Sequence, residues 1–133
     1  SAGSEPLSSA RRHEVLWTHT ALKLLEEVSD RRIQQQLFDT SKRLETDPEK
    51  QGKPLRAELL GFRSLRSVGQ RYRLIYSIDS DARTVHIVAA GLRREGALDD
   101  IYVLAQRLVR LGLAPKPRSR ATRAERAPLK KKK

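Results

Sequence analysis

Hydrophobic and polar positions alternate along the middle of the chain, a pattern that predicts β-strands. In the segment 71–78 every even-numbered position is apolar or aromatic, so these residues share one face of a strand. The odd-numbered positions share the other face, which begins with the guanidinium groups of Arg71 and Arg73. Residues 84–90 are apolar at nearly every position, as in a central strand that is covered on both faces. The stretch 57–94 is therefore predicted to form three consecutive strands.

Apolar positions that recur every three or four residues predict a pair of helices before these strands. A short strand at 14–17 precedes them. Thr18 or Thr20 can cap the first helix, and Asp30 can cap a second one that runs to about Glu45. The connection between the two helices is short, so the pair should be antiparallel.

A final helix is predicted to begin at Asp99 and Asp100, whose charges suit the positive end of a helix, and to stop before Gly112. The element order is then β-α-α-β-β-β-α. The first strand and the hairpins leave an apolar side that must be buried, so the helix pair should cover one face of the sheet. These elements predict an α+β fold. It has a small, mainly antiparallel sheet with a helix pair on one face and a C-terminal helix, and the other face stays partly open.

The charge of the chain is concentrated at its C-terminus. The 133 residues carry a net charge of +12, and residues 115–133 hold nine basic residues against one acidic residue, a net +8 that leaves +4 for the rest. Ser, Ala and Gly dominate the first residues, and Pro, Arg and Lys dominate the last. We therefore predict three parts: a disordered extension at 1–12, a folded domain at 13–114 and a disordered basic tail at 115–133.

Several classes of function are disfavoured by composition. The chain has no cysteine, which excludes disulfides and thiolate metal sites, and its three histidines do not suggest a metal centre. No metal and no cofactor is predicted. No apolar run approaches the roughly 20 residues of a membrane span, and no signal peptide is visible. A cytoplasmic protein without a membrane partner is expected.

Basic residues also cluster within the predicted sheet. The segment 52–73 contains six basic residues and a single acidic one, Glu58. Guanidinium groups match the geometry of phosphate, so this region is predicted to bind a nucleic-acid backbone. The candidate RNA-binding residues are Lys53, Arg56, Arg63, Arg66 and Arg71.

Five segments, taken in order, resemble the RelE/ParE toxin superfamily. They are 52–55 (GKPL), 61–66 (GFRSLR), 69–76 (GQRYRLIY), 91–96 (GLRREG) and 100–102 (DIY). The branch that they resemble most is the RelE-type mRNA interferases. The resemblance implies a strongly curved sheet flanked by helices, with the active site on its concave face. It also implies a ribosome-dependent endoribonuclease of a type II toxin–antitoxin pair, whose partners are mRNA on the ribosome and a cognate antitoxin.

The resemblance also implies catalytic residues. Arg73 matches the arginine of the family's tyrosine-arginine strand motif, Arg93 matches the arginine that follows the third strand, and Tyr102 matches the tyrosine near the C-terminal helix. Well-known members carry a lysine pair on the strand before the tyrosine-arginine motif, where this chain has Arg63 and Arg66. Arg73 and Arg93 are expected on the open side of the sheet, close enough to grip one phosphate.

Without metal ligands, the expected chemistry is attack by the 2′-hydroxyl of RNA on the adjacent phosphodiester. Arg73 and Arg93 would neutralise the charge that develops on the phosphate, and Tyr102 would transfer a proton. Two alternatives remain open. One is a ParE-type inhibitor of DNA gyrase with the same fold, and the other is a catalytically silent RNA- or ribosome-binding protein. For Tyr102, packing of the final helix is an alternative role.

Overall fold

The computed structural model describes residues 12–117, which form one sheet and three helices. The elements, in chain order, are β1 (Glu14–Trp17), α1 (His19–Glu26), α2 (Arg31–Lys42), β2 (Lys53–Pro54), β3 (Arg63–Arg66), β4 (Tyr72–Asp79), β5 (Thr84–Leu92) and α3 (Ile101–Arg110). Among these helices, none has the length and apolar character needed to cross a membrane.

The sheet has the strand order β1-β5-β4-β3-β2. β1 runs parallel to β5, and each of the other neighbouring pairs is antiparallel. The predictions of an α+β fold and of a mainly antiparallel sheet are confirmed. The apolar segment that was predicted to be central is β5, which lies between β1 and β4.

Two strand boundaries differ from the prediction. Lys53–Pro54, which lies before the predicted strands, pairs with β3 and makes a fifth strand at the edge of the sheet, where a proline is tolerated. The predicted start of the next strand is wrong. Residues Ala57–Leu59 form a 3₁₀ turn, and β3 begins only at Arg63. Ala57 and Gly61 both have a positive φ, which is incompatible with an extended strand.

The predicted helix termini are confirmed. The Thr18 hydroxyl accepts a hydrogen bond from the backbone N–H of Ala21, and the Asp30 carboxylate accepts one from Arg32. The second helix continues as a 3₁₀ turn to Glu45, the predicted limit. Gly112 follows α3 with a φ of 74°, the left-handed conformation that favours glycine after a helix.

Two apolar cores lie on opposite faces of the sheet. The core beneath α1 and α2 contains Ala21, Leu37, Leu44, Leu65, Leu74, Tyr76, Val85, Ile87 and Ala90. The core beneath α3 contains Leu59, Phe62, Ile75, Val88, Ala89, Ile101, Ala105, Leu108 and Ala114. The pairing of β4 with β5 shifts register at Ile75/Tyr76. This irregularity lets two consecutive residues, Val88 and Ala89, join the same core.

The predicted termini fall largely outside the described residues. Of the extension 1–12, only Arg12 is described, and it bridges to Thr46. Of the tail 115–133, only the first three residues are described. They lie against the body, where the Ser77 hydroxyl donates to the Pro115 carbonyl over 2.6 Å. The other residues of both predicted segments, 1–11 and 118–133, lie outside the described part.

Candidate active site

A cleft of about 580 Å³ opens at the edge of the sheet formed by β2, β3 and the start of β4. Among residues 12–117, its ionisable lining residues are four basic side chains and one tyrosine, and none of them is acidic. The basic side chains are those of Arg43, Lys53, Arg66 and Arg73. Within residues 12–117, none of these four forms an ion pair with a carboxylate. The cleft therefore has a positive field that is not neutralised by neighbouring side chains.

Strand register brings most of these side chains to one face. Lys53 pairs with Ser64, Ser64 pairs with Ile75, and Arg66 pairs with Arg73. Directly opposed residues of antiparallel strands point to the same side of the sheet. Since Ile75 belongs to the core beneath α3, the cleft lies on the α3 face of the sheet. The prediction that Arg73 points away from Leu74 and Tyr76 is confirmed.

Arg73 is partly restrained at the cleft. Its Nη1 donates to the backbone carbonyls of Gln70 and Tyr72, which hold this end of the guanidinium against the preceding turn. A guanidinium has five N–H donors. The remaining donors of Arg73 are therefore free to bind an anion in the cleft, next to Arg66.

Tyr102 lies in the first turn of α3 and reaches the cleft with its hydroxyl. Its Oη is 2.8 Å from the Oγ of Ser64, a side chain that is only 5% exposed. The ring packs against the core beneath α3. The guanidinium carbon of Arg93 lies 4.6 Å from the ring centroid, a cation–π contact. The ring of Tyr102 therefore packs the final helix, the alternative role considered from the sequence, and the residue also lines the cleft. Its part in proton transfer stays a prediction.

Asp100 organises the start of α3 from a buried position, with 2% of its surface exposed. Its carboxylate accepts hydrogen bonds from the backbone N–H groups of Arg94 and Tyr102. It also pairs with Arg93, whose Nη1 is 2.6 Å from Oδ1. Burial alone would raise the pKa of Asp100, but the Arg93 guanidinium and the two N–H donors outweigh burial and lower it. Asp100 therefore stays ionised and fixes Arg93 beside Tyr102.

Arg93 lies on the same face of the sheet as Arg73, because it is two residues beyond Gly91, the cross-strand partner of Arg73. It is absent from the residues that line the cleft, and its side chain is 29% exposed. The hydrogen bond to Asp100 raises its pKa further, so it is permanently charged. The expectation that Arg73 and Arg93 bind one phosphate together stays a prediction. Arg73 faces the cleft, whereas Arg93 is bound to Asp100 and contacts the ring of Tyr102.

The other predicted RNA-binding residues divide into two groups. Lys53 and Arg66 line the cleft, whereas Arg56 and Arg71 are exposed on the surface outside it. Arg63 lies on the opposite face, since it pairs with Tyr76, and it donates to the backbone carbonyls of Gln51 and Gly52. Arg63 and Arg66 are three positions apart on one strand and therefore point to opposite faces.

Sequence reasoning missed four residues of this region. Arg43 and Gln70 line the cleft, Ser64 binds the Tyr102 hydroxyl, and Asp100 was recognised only as a helix cap. Strand parity could have revealed Ser64, which shares a face with Arg66. Across residues 12–117, no group of three or more His, Asp or Glu side chains could hold a metal ion.

Comparison with known proteins establishes the family. A family model described as the ParE toxin of the type II toxin–antitoxin system parDE matches residues 15–96. The crystal structure of the RelBE2 toxin–antitoxin complex from Mycobacterium tuberculosis is 36% identical, with a TM-score of 0.56. It aligns over 62% of this chain and 92% of that chain. No curated protein sequence matches the chain significantly.

Two more distant structures share the fold. E. coli RelE, solved in the free state as a mutant with two arginines replaced by alanine, is 16% identical. Its TM-score is 0.58, over 75% of this chain and 98% of that chain. The ParDE system of P. aeruginosa is 15% identical, with a TM-score of 0.51 over 62% and 97%. The chain belongs to the RelE/ParE superfamily and is a toxin of a type II toxin–antitoxin system.

Proposed function

We propose that this toxin is an endoribonuclease that cleaves mRNA on the ribosome, with the scissile phosphate bound in the basic cleft. The observation that carries the proposal is the composition of the cleft. Lys53, Arg66 and Arg73 converge there with Tyr102, and no acidic side chain of the described part of the chain lines it. A phosphodiester needs cationic groups around its oxygens, and its cleavage needs a group that can move a proton.

Phosphate binding rests on two neighbouring strands. Arg66 and Arg73 are cross-strand partners, so their guanidinium groups rise from adjacent positions on the same face. Lys53 stands on the other side of β3, opposite Ser64. An RNA phosphate placed between them gains charge-assisted hydrogen bonds that strengthen as negative charge accumulates on its oxygens during the reaction.

The cleavage uses the 2′-hydroxyl of the RNA itself. The 2′-oxygen attacks phosphorus and the bond to the 5′-oxygen breaks, which leaves a 2′,3′-cyclic phosphate and a 5′-hydroxyl. The guanidinium groups hold their protons too tightly to transfer them, which leaves Tyr102 and Lys53 among the described lining residues. Tyr102 is the proposed donor to the departing 5′-oxygen. Solvent takes the proton of the 2′-hydroxyl, since the residues between 12 and 117 that line the cleft include neither a carboxylate nor a histidine.

Arg93 acts through Tyr102 in this proposal. Asp100 binds the Arg93 guanidinium and the backbone N–H of Tyr102, while Ser64 binds the Tyr102 hydroxyl. The tyrosine is thus held at its backbone, its ring and its hydroxyl. Such restraint lowers the entropic cost of placing a catalytic group against a substrate. Arg93 and Asp100 are therefore positioning residues.

A cognate antitoxin is the second proposed partner. The RelBE2 structure of the 36% identical relative is a toxin–antitoxin complex. An acidic segment of the antitoxin would complement the unpaired cations of the cleft and block the access of RNA. A second candidate function is the inhibition of DNA gyrase. It is favoured by the match to the family model for ParE toxin and by the position of Arg93 outside the cleft.

A translation extract distinguishes the two functions. The purified toxin is added to a programmed extract, and the message is mapped by primer extension. The nuclease proposal predicts discrete cuts that disappear when the nucleotide before the cut carries a 2′-deoxyribose. A parallel assay measures supercoiling by DNA gyrase. Inhibition of supercoiling by a toxin that leaves the message intact would replace the nuclease proposal with the ParE-type function.

A further inference from the structure

The cleft is larger than a phosphate group requires. Its volume of about 580 Å³ falls within the roughly 300–1,000 Å³ of pockets that hold a whole small molecule. Lys53 and the Tyr102 hydroxyl both lie beside Ser64 on β3. Arg73 lies opposite Arg66, two residues further along the same strand. Beyond this arginine pair the cleft continues to the turn between β3 and β4, where a second group of the RNA can be bound.

Gln70 lines the cleft from this turn. Its backbone N–H donates to the Ser67 carbonyl over 2.8 Å, and its carbonyl accepts a hydrogen bond from the Arg73 guanidinium. Its side chain is exposed and forms no hydrogen bond with any residue between 12 and 117. The backbone of Gln70 is therefore fixed, while its amide is available to a ligand that lies beside Arg73.

The backbone conformation of Gln70 favours a different residue. Its φ is 60°, in the left-handed region that suits glycine, and the preceding residue, Gly69, has a φ of 59°. Non-glycine residues held in such conformations are concentrated at functional sites. The turn would accept glycine at position 70 without steric cost. What glutamine contributes there is therefore its amide group and not the shape of the turn.

The amide of glutamine can distinguish one nucleobase from another. It presents an N–H donor and a carbonyl acceptor side by side, and the bases of single-stranded RNA expose their edges. The N6 amino group and N7 of adenine offer the matching donor and acceptor. The same edge of guanine offers two acceptors, and pyrimidines have no ring nitrogen there. We propose that Gln70 binds this edge of an adenine next to the scissile phosphate and determines the sequence specificity of the cleft.

The order of groups along the cleft assigns this adenine to one nucleotide. In the proposed reaction Tyr102 protonates the 5′-oxygen of the departing nucleotide. The attacking and leaving oxygens lie roughly in line on opposite sides of phosphorus. Gln70 lies beyond the arginine pair, on the side away from the Tyr102 hydroxyl. The adenine is therefore the base immediately 5′ of the cut, on the nucleotide whose 2′-hydroxyl attacks. The inference rests on the proposed nuclease function, to which it adds a base preference.

Single-turnover cleavage of ribosome-bound messages tests this assignment. The messages share one mapped cut and differ only in the nucleotide immediately 5′ of it. The wild type should cut after adenine about fivefold to a hundredfold faster than after the other three bases, the range for one bidentate contact. A fifth message carries 7-deazaadenine, which lacks the N7 acceptor but keeps the Watson–Crick edge. The wild type should cut it several-fold more slowly than the adenine message.

Two variants show whether Gln70 is responsible. Gln70→Gly removes the amide and suits the left-handed backbone, so it should unfold at a temperature no lower than that of the wild type. It should cut the adenine, 7-deazaadenine and other messages at similar rates. Gln36→Ala removes an exposed amide on α2 that does not line the cleft, and it should keep the preference of the wild type.

The outcomes separate the base site from the nuclease. If Gln70→Gly keeps the preference for adenine, or if the wild type cuts the adenine and 7-deazaadenine messages equally fast, the base site is overturned and the nuclease function stands. A preference at the nucleotide 3′ of the cut would overturn the assignment of the adenine. Intact messages with every protein would refute the nuclease function and the base site with it.

Discussion

The two faces of the sheet are built from the same strands, yet one is sealed and the other holds a cleft. The surroundings of one tyrosine hydroxyl on each face show this difference. Beneath α1 and α2, the Tyr76 hydroxyl lies 2.9 and 2.8 Å from the carbonyls of Pro48 and Gln51, inside the protein. On the α3 face, the Tyr102 hydroxyl meets Ser64 at the wall of the cleft.

The difference comes from how far along β4 the elements packed on each face extend. The helix pair and the turns after it enclose both Leu74 and Tyr76. The single helix α3 encloses Ile75 but leaves Arg73, two residues earlier on the same face, at the cleft. A polar hydroxyl on the sealed face is satisfied by backbone and serves stability. A hydroxyl beside the cleft, where helix α3 no longer covers the strands, is available to a substrate.

Removing the two hydroxyls should separate these roles most clearly. Tyr102→Phe should reduce single-turnover cleavage by about 10²–10⁴, the range for a lost general acid. Its stability should change little, because the ring and its contact with Arg93 remain. Tyr76→Phe should lower the free energy of unfolding by about 0.5–1.5 kcal/mol and leave cleavage intact, since it removes a buried hydrogen bond while Arg63 still donates to the Gln51 carbonyl. Cleavage kinetics and urea unfolding of both variants check this. Equal activities for the two variants would remove Tyr102 from the chemistry.

Replacing the strand arginine tests the charge of the cleft. Arg73→Gln should lower the cleavage rate by about 10²–10³, the cost of losing one donor to a developing negative charge. Arg31→Gln on α2, an exposed arginine that does not line the cleft, serves as the matched control and should cleave at the normal rate. Single-turnover kinetics on a ribosome-bound message measure both. A rate for Arg73→Gln equal to that of the control would place the scissile phosphate elsewhere.

Asp100→Asn tests whether the Asp100 carboxylate holds Tyr102 in place. It should cost about 1.5–3 kcal/mol of stability, the range for hydrogen bonds to a charged group, and it should slow cleavage by loosening Tyr102. The pKa of Asp100 is lowered in the folded protein. Its contribution is therefore full above the pKa of an unfolded aspartate, near ~4, and is lost as the pH falls through the lower folded value.

The measurement is urea unfolding as a function of pH. The wild type should lose stability steeply below about pH 4, and Asp100→Asn should lose less over the same range. Restored cleavage at normal stability in Asp100→Glu would support a positioning role for the carboxylate. Identical pH profiles for the wild type and Asp100→Asn would show that Asp100 does not carry this stability.

The smallest effects are expected at the rim of the cleft. Lys53→Gln and Arg66→Gln should each weaken ribosome binding several-fold and reduce the salt dependence, because each removes one phosphate contact. Arg56→Gln removes an equal charge outside the cleft and should have less effect. Binding titrations at several salt concentrations compare the three. If Arg56→Gln weakens binding as much as Lys53→Gln and Arg66→Gln do, RNA binds across the whole basic surface and is not confined to the cleft.

Features that depend on neighbouring residues were predictable from the sequence. Thr18, Asp30 and Gly112 lie at the helix termini that local capping rules assign to them. The period of two in β4 correctly separated Arg73 from Tyr76. Each of these predictions uses only the few residues around the position concerned.

Features that depend on distant parts of the chain were not predictable. The bond between Ser64 and Tyr102 joins residues 38 positions apart. The two-residue strand β2 is too short to show a period. The pairing of Arg93 with Asp100 depends on the turn between them, which returns the start of α3 to the end of β5. That turn therefore brings Asp100 to Arg93, whose guanidinium lies against the ring of Tyr102.

The central claim is that the cleft cleaves RNA, and one measurement tests it most directly. Primer extension on a defined message in a translation extract compares the wild type with Tyr102→Phe, Arg73→Gln and the control Arg31→Gln. We expect discrete cuts by the wild type and by Arg31→Gln, and little or no cutting by the two cleft variants. An intact message with every protein, or equal cutting by all four, would contradict the claim.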